Sequence, residues 1–541
     1  MKTKPEILHK LNRLSSIDTF LEVLLNLCSK NLNSYVDELS TRNHRSLLNV
    51  NELNLLFGFW LKNRDKNSSA TFSIDELSDM IHKLMDEFHF TFLTNVTNFE
   101  NLTYEEVMLT ANTLQETIFY SGTGAYDYQY VKYAAKEYEL DRDWLVANKD
   151  FDINNILPFY QFFKGILNYK INFTNQSQDP FQLYKYSKNS YIFDKYPEFR
   201  KIFSAFSIKK HEILNQEFAD IGDLNELGTR PVLEYENHYL IPIPFLLAQA
   251  LNKSPYYWLS KDEEYKIKAS SNRGICAEDI VYNQLKNKYD TCILKNVFVK
   301  PNKTKTITDL DVCIIHEEIL IIFQVKSKKL TQLSKQGNLE QIKLDFKIAV
   351  TDAYEQAFNA IDPIINNTSK FYNKENKVIA DTSTITEIYT VCVLLDDYPP
   401  LTSHTLIFNE KKEITPVAIS IFDLEVCLEY LPKLESFIDY IKKRTENSKY
   451  IRAESELSYL QYYLKHKFEP KDSADGIILD NSLGQQFDQK YYMKLIKENE
   501  RNLPDFFLGI KAEDYCFCGS GNLFKDCCIK IITGYNNTYN L

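Results

Sequence analysis

Residues 309–326 read DLDVCIIHEEILIIFQVK, and this stretch decides the fold of the central part of the chain. Two apolar runs flank the short polar segment HEE, a pattern that predicts two antiparallel strands joined by a tight turn. Strand side chains alternate between the two faces of a sheet, so Gln324 and Lys326 share one face, and Asp309 and Asp311 share one face of the neighbouring strand. The sequence therefore predicts that acids and a lysine meet at one edge of a sheet.

Further regular elements extend outward from this hairpin. The predicted order is a helix at 277–288, strands at 291–299, 309–316 and 319–326, a long helix at 339–361, and strands at 388–395 and 416–421. Strands that alternate with helices in this way predict an α/β sheet covered by helices.

The rest of the chain divides around this unit, because 541 residues exceed what one hydrophobic core usually organises. Ser73 and Glu76 form a capping box that predicts a helix start, and Thr103 with Glu106 repeats the device. The predicted domains are a large all-α N-terminal region (1–229), a strand-turn-strand-helix connector (230–264), the α/β domain (265–440), a helical tail and linker (441–512), and a small cysteine-rich module (513–530).

Charge and hydropathy narrow the class of protein. The net charge of -11 excludes a protein whose whole surface is basic, although residues 295–347 carry ten lysines against six acids. That local excess fits a cleft for a phosphate backbone, and it equally fits a solvated lysine-rich surface. We predict no membrane segment and a cytoplasmic location, since the N-terminus suits an amphipathic helix and six of the ten cysteines are scattered as reduced core thiols would be.

The acids and the lysine suggest a chemistry for the predicted sheet edge. Hydrolysis of a phosphodiester needs carboxylates that hold Mg²⁺, a metal-bound or lysine-assisted water, and positive charge near the phosphate. Glu278, Asp311, Gln324 and Lys326 would supply these parts. Gln324 offers only a neutral carbonyl oxygen, so the two acids would carry the negative charge on the metal.

These residues resemble the PD-(D/E)xK nuclease superfamily, whose pattern is a helical Glu, an Asp that opens one strand, and Glu/Gln-x-Lys at the end of the next. The resemblance covers residues 265–425, and the glutamine at the third position is similar to the Mrr-type branch of restriction endonucleases. It implies a restriction-endonuclease-like core, Mg²⁺ (or Mn²⁺) as cofactor, and cleavage of DNA. Gln356, on the following helix, matches an auxiliary glutamine of some members.

Two positions keep close alternatives. Asp309 competes with Asp311, which is preferred because the superfamily's acid usually precedes an apolar strand, here VCII. Asp279 competes with Glu278, which is favoured by Gly274 and by the spacing to the next apolar positions of the helix.

Four further cysteines lie within thirteen residues near the C-terminus. Cys516, Cys518, Cys527 and Cys528 surround a Gly-Ser-Gly turn, and four thiolates in a reducing compartment suit tetrahedral Zn²⁺. The spacing resembles the SEC-C motif, with Phe517 in place of the usual proline. The resemblance implies a small docking module for a protein or a nucleic acid, and the filled ligand set predicts a structural site.

The prediction for the whole chain is a metal-dependent endonuclease that hydrolyses DNA, in the manner of prokaryotic defence against foreign DNA. A non-catalytic adaptor on an inactive nuclease fold and a ribonuclease are the alternatives, since Gln324 replaces a glutamate and the metal chemistry does not distinguish sugars. A homodimer is expected if two cores cut two strands.

Overall fold

The computed structural model describes most of the chain. The described residues are 2–37, 47–66, 68, 70–93, 106, 110–120, 124–173, 180–398, 417–448, 450–453, 455–468, 476–480, 483–500, 511–516 and 522–526. They form two compact units. Unit 1 comprises Met1–Thr97, Tyr126–Ala269 and Tyr492–Leu541, and unit 2 comprises Asn98–Ala125 and Ser270–Tyr491.

Unit 1 is mainly helical, as the sequence predicts. Its helices are Lys4–Leu14, Phe20–Asp37, Val50–Asn63, Ile74–Leu93, Asp127–Glu137, Arg142–Lys149, Ile156–Phe173, Pro180–Tyr184, Ile192–Lys195, Pro197–Ala205, Glu226–Thr229 and Pro244–Ser260. The predicted capping box is confirmed, because the Ser73 backbone N–H and hydroxyl both donate to the Glu76 carboxylate, at 2.9 and 2.8 Å. Thr103 lies outside the described residues. No helix in the described ranges is long and apolar enough to cross a membrane.

A small sheet accompanies these helices. It has the order β1-β4-β3-β2, from β1 (Lys185–Ser187), β2 (Ser207–Ile208), β3 (Val232–Tyr235) and β4 (His238–Leu240). The antiparallel pair β3–β4 confirms the predicted strand-turn-strand. The strands β1 and β2 come from the region predicted to be all helical, which they correct; each has at most three residues, too few to show a strand period.

Unit 2 is built on a seven-stranded mixed sheet of order β11-β10-β7-β6-β5-β8-β9. Its strands are β5 (Cys292–Lys300), β6 (Thr308–His316), β7 (Ile319–Lys326), β8 (Lys370–Tyr372), β9 (Val378–Ala380), β10 (Glu387–Leu394) and β11 (Val417–Ser420). The pairs β7–β10 and β10–β11 are parallel and the others are antiparallel. A separate two-stranded pair joins β12 (Ile451–Arg452) and β13 (Ile477–Ile478).

The helices that lie wholly or partly in unit 2 are Ala111–Tyr120, Lys266–Lys288, Gln332–Lys335, Leu339–Phe346, Asp352–Phe358, Ile361–Ile365, Ile421–Tyr430, Leu434–Glu446, Glu456–His466 and Gln485–Glu500. A π-helical turn, Lys347–Thr351, joins two of them, so residues 339–358 form one continuous helix, here called the crossover helix. Lys266–Lys288 is here called the leading helix.

Both faces of the large sheet are covered. The crossover helix places Ala349, Ala353 and Ala357 against one face, and these small side chains let the helix approach the strands closely. On the other face, Phe323 of β7 stacks on Phe437 of the helix Leu434–Glu446, with ring centroids 6.3 Å apart. Because the central strands are buried on both sides, most of their residues are apolar, as in the runs VCII and ILIIF, and the polar residues of this hairpin other than His316 lie at the end away from its turn.

The predicted α/β sheet is confirmed, with three corrections. The leading helix begins eleven residues before the predicted start at 277, because Ala269, Arg273 and Cys276 form a buried face at helical spacing. The predicted helix 339–361 ends at Phe358 and contains the π turn. The strands β8 and β9 are not predicted from the sequence, because each has only three residues and is too short to show a strand period.

Candidate active site

The strands β6 and β7 separate at the residues singled out in the sequence. Their backbone ladder pairs Val312 with Phe323, and beyond that pair side chains bridge the strands. The Gln324 side chain accepts a hydrogen bond from the Asp311 N–H through Oε1 and donates one to the Asp309 carbonyl through Nε2, both at 2.9 Å. The buried glutamine therefore replaces the missing ladder bonds and holds the two strands at a fixed separation.

The neighbouring strand is irregular at the same level. Asn296 of β5 has φ +54°, a left-handed conformation that Asn tolerates better than most residues. Its neighbours Lys295 and Val297 pair with Val312 and Leu310, so the irregularity lies opposite Asp311. The sheet is thus distorted on both sides of this aspartate.

Asp311 is a partly buried carboxyl group at the point where the strands separate. Its Oδ2 accepts a hydrogen bond of 2.7 Å from the Val325 N–H. Burial raises the pKa of Asp311 to about 6, against the lowering effects of that hydrogen bond and of the nearby Lys326 ammonium. The pKa is therefore set by desolvation more than by the positive charge beside it.

Glu278 approaches Asp311 from the leading helix. Burial is the main cause that raises the pKa of Glu278 to about 7, and the negative charge of Asp311 raises it further, whereas Lys295 and Lys374 lower it. Two partly buried carboxyl groups with raised pKa, one of which is raised further by the charge of the other, are typical of a cation site. The two carboxyl groups thus lie close enough for the charge of Asp311 to act on Glu278.

The two alternative acids have other partners. Asp279, next to Glu278 on the leading helix, forms an ion pair with Lys295 of β5. Asp309 is exposed, and its Oδ1 accepts a hydrogen bond of 2.9 Å from the Gln356 side chain. This geometry favours the pair Glu278 and Asp311 over Asp279 and Asp309.

Lys326, at the end of β7, is held by the crossover helix. Its Nζ donates to Gln356 Oε1 at 3.1 Å, and the same glutamine donates through Nε2 to Asp309. The structure thus places Gln356 beside the lysine. A glutamine that accepts from the lysine and donates to an acid fixes the direction of the ammonium group without neutralising it.

The oxygen atoms at this point fit a hard divalent cation. Among the described residues there is no group of three or more His, Cys, Asp or Glu side chains that could hold a metal ion. Two carboxylates with water in the remaining positions are nevertheless the usual protein environment of Mg²⁺. Gln324 Oε1 already accepts one hydrogen bond through one of its two lone pairs. The predicted contact between Gln324 and the metal ion therefore depends on the second lone pair of this oxygen.

A buried ion pair connects the leading helix to the segments that follow β7 and β10. Arg273, five residues before Glu278 on the leading helix, donates to Asp396 at 2.6 Å, and both side chains are at least nine-tenths buried. The Arg273 Nε also donates to the carbonyl of Ser327, at 3.3 Å, directly after Lys326. No sequence pattern indicates this pair, because its members are 123 positions apart.

Only part of the predicted zinc module can be described. Residues 511–516 and 522–526 form a small hairpin in which the Cys516 N–H donates to the Asn522 carbonyl at 2.7 Å, and Cys516 is buried. Cys518, Cys527 and Cys528 lie outside the described residues. Zinc binding therefore stays a prediction.

Comparison with known proteins gives one family match. The nuclease-related domain (NERD) matches residues 273–394, which run from Arg273 of the leading helix to the last residue of β10. No curated protein and no solved structure matches the chain. The chain thus contains a nuclease-related domain, and the four predicted site residues all lie within it.

Proposed function

We propose that this nuclease-related domain is an active, metal-dependent endonuclease that hydrolyses phosphodiester bonds of DNA. The observation that carries the proposal is the approach of Glu278 to Asp311, both with raised pKa, beside the half-buried Lys326. Catalytic sites are where such perturbed groups concentrate. The match to the nuclease-related domain supports the same reaction class.

Each of the four residues has a role in this proposal. Glu278 and Asp311 hold Mg²⁺ (or Mn²⁺), with Gln324 Oε1 as the third protein oxygen, in a restriction-endonuclease-like PD-(D/E)xK arrangement of the Mrr type. When bound, the cation supplies positive charge to the scissile phosphate and acidifies a water molecule. Lys326 places its ammonium group beside the Asp311 carboxylate, where it stabilises negative charge that develops on the phosphate.

Gln356 and Gln324 act as positioning residues. Gln356 directs the Lys326 ammonium group, because its Oε1 accepts a hydrogen bond of 3.1 Å from Lys326 Nζ. Gln324 sets the distance between β6 and β7 and so the place of the Asp311 carboxylate. Preorganised charges of this kind need no rearrangement when the reaction begins.

The C-terminal cysteines have a separate role in the proposal. Cys516, Cys518, Cys527 and Cys528 bind Zn²⁺ as a SEC-C module that docks a protein partner. We further propose that the enzyme acts in the cytoplasm, as a homodimer, in defence against foreign DNA; this last step rests on the pairing of a nuclease domain with a large helical region.

One observation favours a second function, that of a non-catalytic adaptor. Both polar atoms of the Gln324 side chain form hydrogen bonds with the backbone of β6. The residue at the third position of the motif therefore has a structural role that does not require a metal ion. An inactive domain that binds DNA or a protein would keep these bonds and would not need the metal. RNA as the substrate is a third outcome that the test below separates.

The test is conversion of supercoiled plasmid, with labelled RNA in parallel, by the full chain with Mg²⁺, with Mn²⁺ and with chelator. We expect metal-dependent nicking or linearisation that an Asp311→Ala, Lys326→Ala variant lacks, and that an Asp290→Asn variant, changed at an exposed acid of the same unit, retains. Intact plasmid with cleaved RNA would make the enzyme a ribonuclease. Binding without cleavage of either substrate would support the adaptor.

A further inference from the structure

Two hairpins at the edge of the large sheet carry a concentrated positive charge. One is the last residue of β5 with the connection to β6 (residues 300–307), and the other is β8, its turn and β9 (residues 370–380); together they are called the basic hairpins. They contain six lysines and one acid, Glu375. The lysines are Lys300, Lys303, Lys305, Lys370, Lys374 and Lys377, of which all but the partly buried Lys300 are exposed.

Most of the positive charge of the basic hairpins has no ion-pair partner among the residues that the structure describes; at longer range Lys374 acts on Glu278 and Lys370 on Asp381. Within the described ranges, none of the six lysines lies within 4.0 Å of a carboxylate, whereas Lys343 and Lys442 elsewhere in unit 2 pair with Glu340 and Glu387. Lys300 and Lys370 are direct partners in the β5–β8 ladder. Like charges that face each other across two strands destabilise a sheet, so this arrangement gains nothing for folding.

The basic hairpins border the carboxylate pair. The β5–β8 ladder ends with Phe298 beside Tyr372, and the turn 373–377 follows directly. Lys374, in that turn, is close enough for its positive charge to act on the Glu278 carboxylate. The hairpins are tied to each other as well, because Lys300 Nζ donates to Asn376 Oδ1 at 2.7 Å.

We propose that the basic hairpins bind the phosphate backbone of double-stranded DNA and hold the duplex against the Glu278 and Asp311 edge. The proposal deepens the proposed function and rests on it for the choice of ligand. Lysine ammonium groups on flexible stems act as compact point charges and can follow a row of phosphates without reading bases. The surface therefore supplies affinity and position, and no sequence preference.

A different role for some of these lysines is protection of an exposed strand edge. β9 is the last strand of the sheet, and lysines on edge strands prevent pairing with other chains. That role accounts for Lys377 beside β9, but not for Lys303 and Lys305, which lie in the loop between two inner strands. The two roles predict different results when the charges are removed.

The test compares two variants of the full chain, each with four exposed lysines changed to glutamine. The hairpin variant changes Lys303, Lys305, Lys370 and Lys377, and the control variant changes Lys286, Lys433, Lys465 and Lys490, which lie on other elements of unit 2. Both carry Asp311→Asn, so that the DNA stays uncut. Affinity for a fluorescent 20-base-pair DNA duplex is measured by anisotropy from low to moderate salt, with circular dichroism as the check on folding.

We expect the hairpin variant to bind at least about tenfold more weakly than the control variant, and its log–log salt slope to be smaller by about 3 to 4, since each lost phosphate contact removes about 0.9. Equal affinity and slope in the two variants would overturn the proposal. Aggregation of the hairpin variant with unchanged affinity would overturn it in favour of edge protection. An RNA duplex of the same length is measured in parallel, and a loss of affinity confined to that duplex would overturn the proposal for DNA. The readout is binding alone, so this proposal and the nuclease proposal fail separately.

Discussion

Replacing Asp311 by asparagine should make the metal-free protein more stable above neutral pH while it abolishes cleavage. Asn keeps an oxygen that can accept the 2.7 Å hydrogen bond from the Val325 N–H, and it removes a charge that the partly buried site disfavours. The pKa of Asp311 is raised from 3.8 to about 6, so protonation favours the folded state. The stability that the neutral group contributes is complete below pH 3.8 and is lost as the pH rises through about 6.

The rise in the pKa of Asp311 from 3.8 to about 6 corresponds to about 3 kcal/mol, because a tenfold change in an ionisation constant is worth about 1.4 kcal/mol. The free energy of unfolding is measured by urea denaturation of wild type and Asp311→Asn, without divalent ions, at several pH values from 4 to 8. The variant should gain stability over wild type as the pH rises, towards a difference of about 3 kcal/mol. Asp290→Asn, at an exposed acid, should show no such trend.

Mg²⁺ should reverse the order of stability. The cation compensates the charges of Asp311 and Glu278 in wild type, and it finds one carboxylate fewer in the variant. A difference that does not change with pH, or a wild type that is the more stable protein at pH 8 without metal, would refute the reasoning, because either result would mean that Asp311 is not a desolvated carboxylate in the folded state.

Three other changes test separate parts of the structure. Arg273→Met leaves the buried Asp396 without its closest charge partner, and urea denaturation should show a loss of about 3 kcal/mol or more; a loss under 1 kcal/mol would contradict the importance of the ion pair. Gly124→Ala should lower the melting temperature, since φ is +64° and a Cβ would lie 1.7 Å from Asp397 Oδ2, and an unchanged melting temperature would show that the turn is tolerant. Cys527→Ser should reduce bound zinc, measured by elemental analysis, from about one ion per chain towards none while plasmid nicking persists; unchanged zinc would remove this cysteine from the ligand set.

The long strands of the domain could be predicted because a buried strand appears in the sequence as a short run of apolar residues. Ile319–Lys326 is predicted with its observed limits, since a strand buried on both faces shows a run of apolar residues, here ILIIF, that continues into the alternating segment QVK. The start of the leading helix could not be predicted in the same way. Two of its first residues, Lys266 and Lys268, are charged and give no apolar pattern. Only the burial of Ala269 and Arg273 in the folded protein shows that this segment belongs to the helix.

The candidate site was predicted as a set of residue types, and its arrangement depends on contacts that the sequence does not record. The alternation of β7 puts Gln324 and Lys326 on one face. It does not show that the Gln324 side chain forms hydrogen bonds with the backbone of β6, or that Gln356 accepts a hydrogen bond from Lys326. The basic hairpins are a similar case, because the sequence separates their lysines by up to 77 positions and the β5–β8 ladder brings them together.

The sequence by itself determined the hairpin β6–β7, the succession of helices and strands around it, and the acids, glutamine and lysine that the hairpin carries. These features depend on the period of apolar residues and on neighbours a few positions apart, which the order of residues states directly. Only the tertiary structure decided which acids approach each other, where β6 and β7 separate, and which distant partners hold Arg273 and Lys326. Those choices depend on the distances and desolvation created by packing between elements remote in the chain, and no local pattern encodes them.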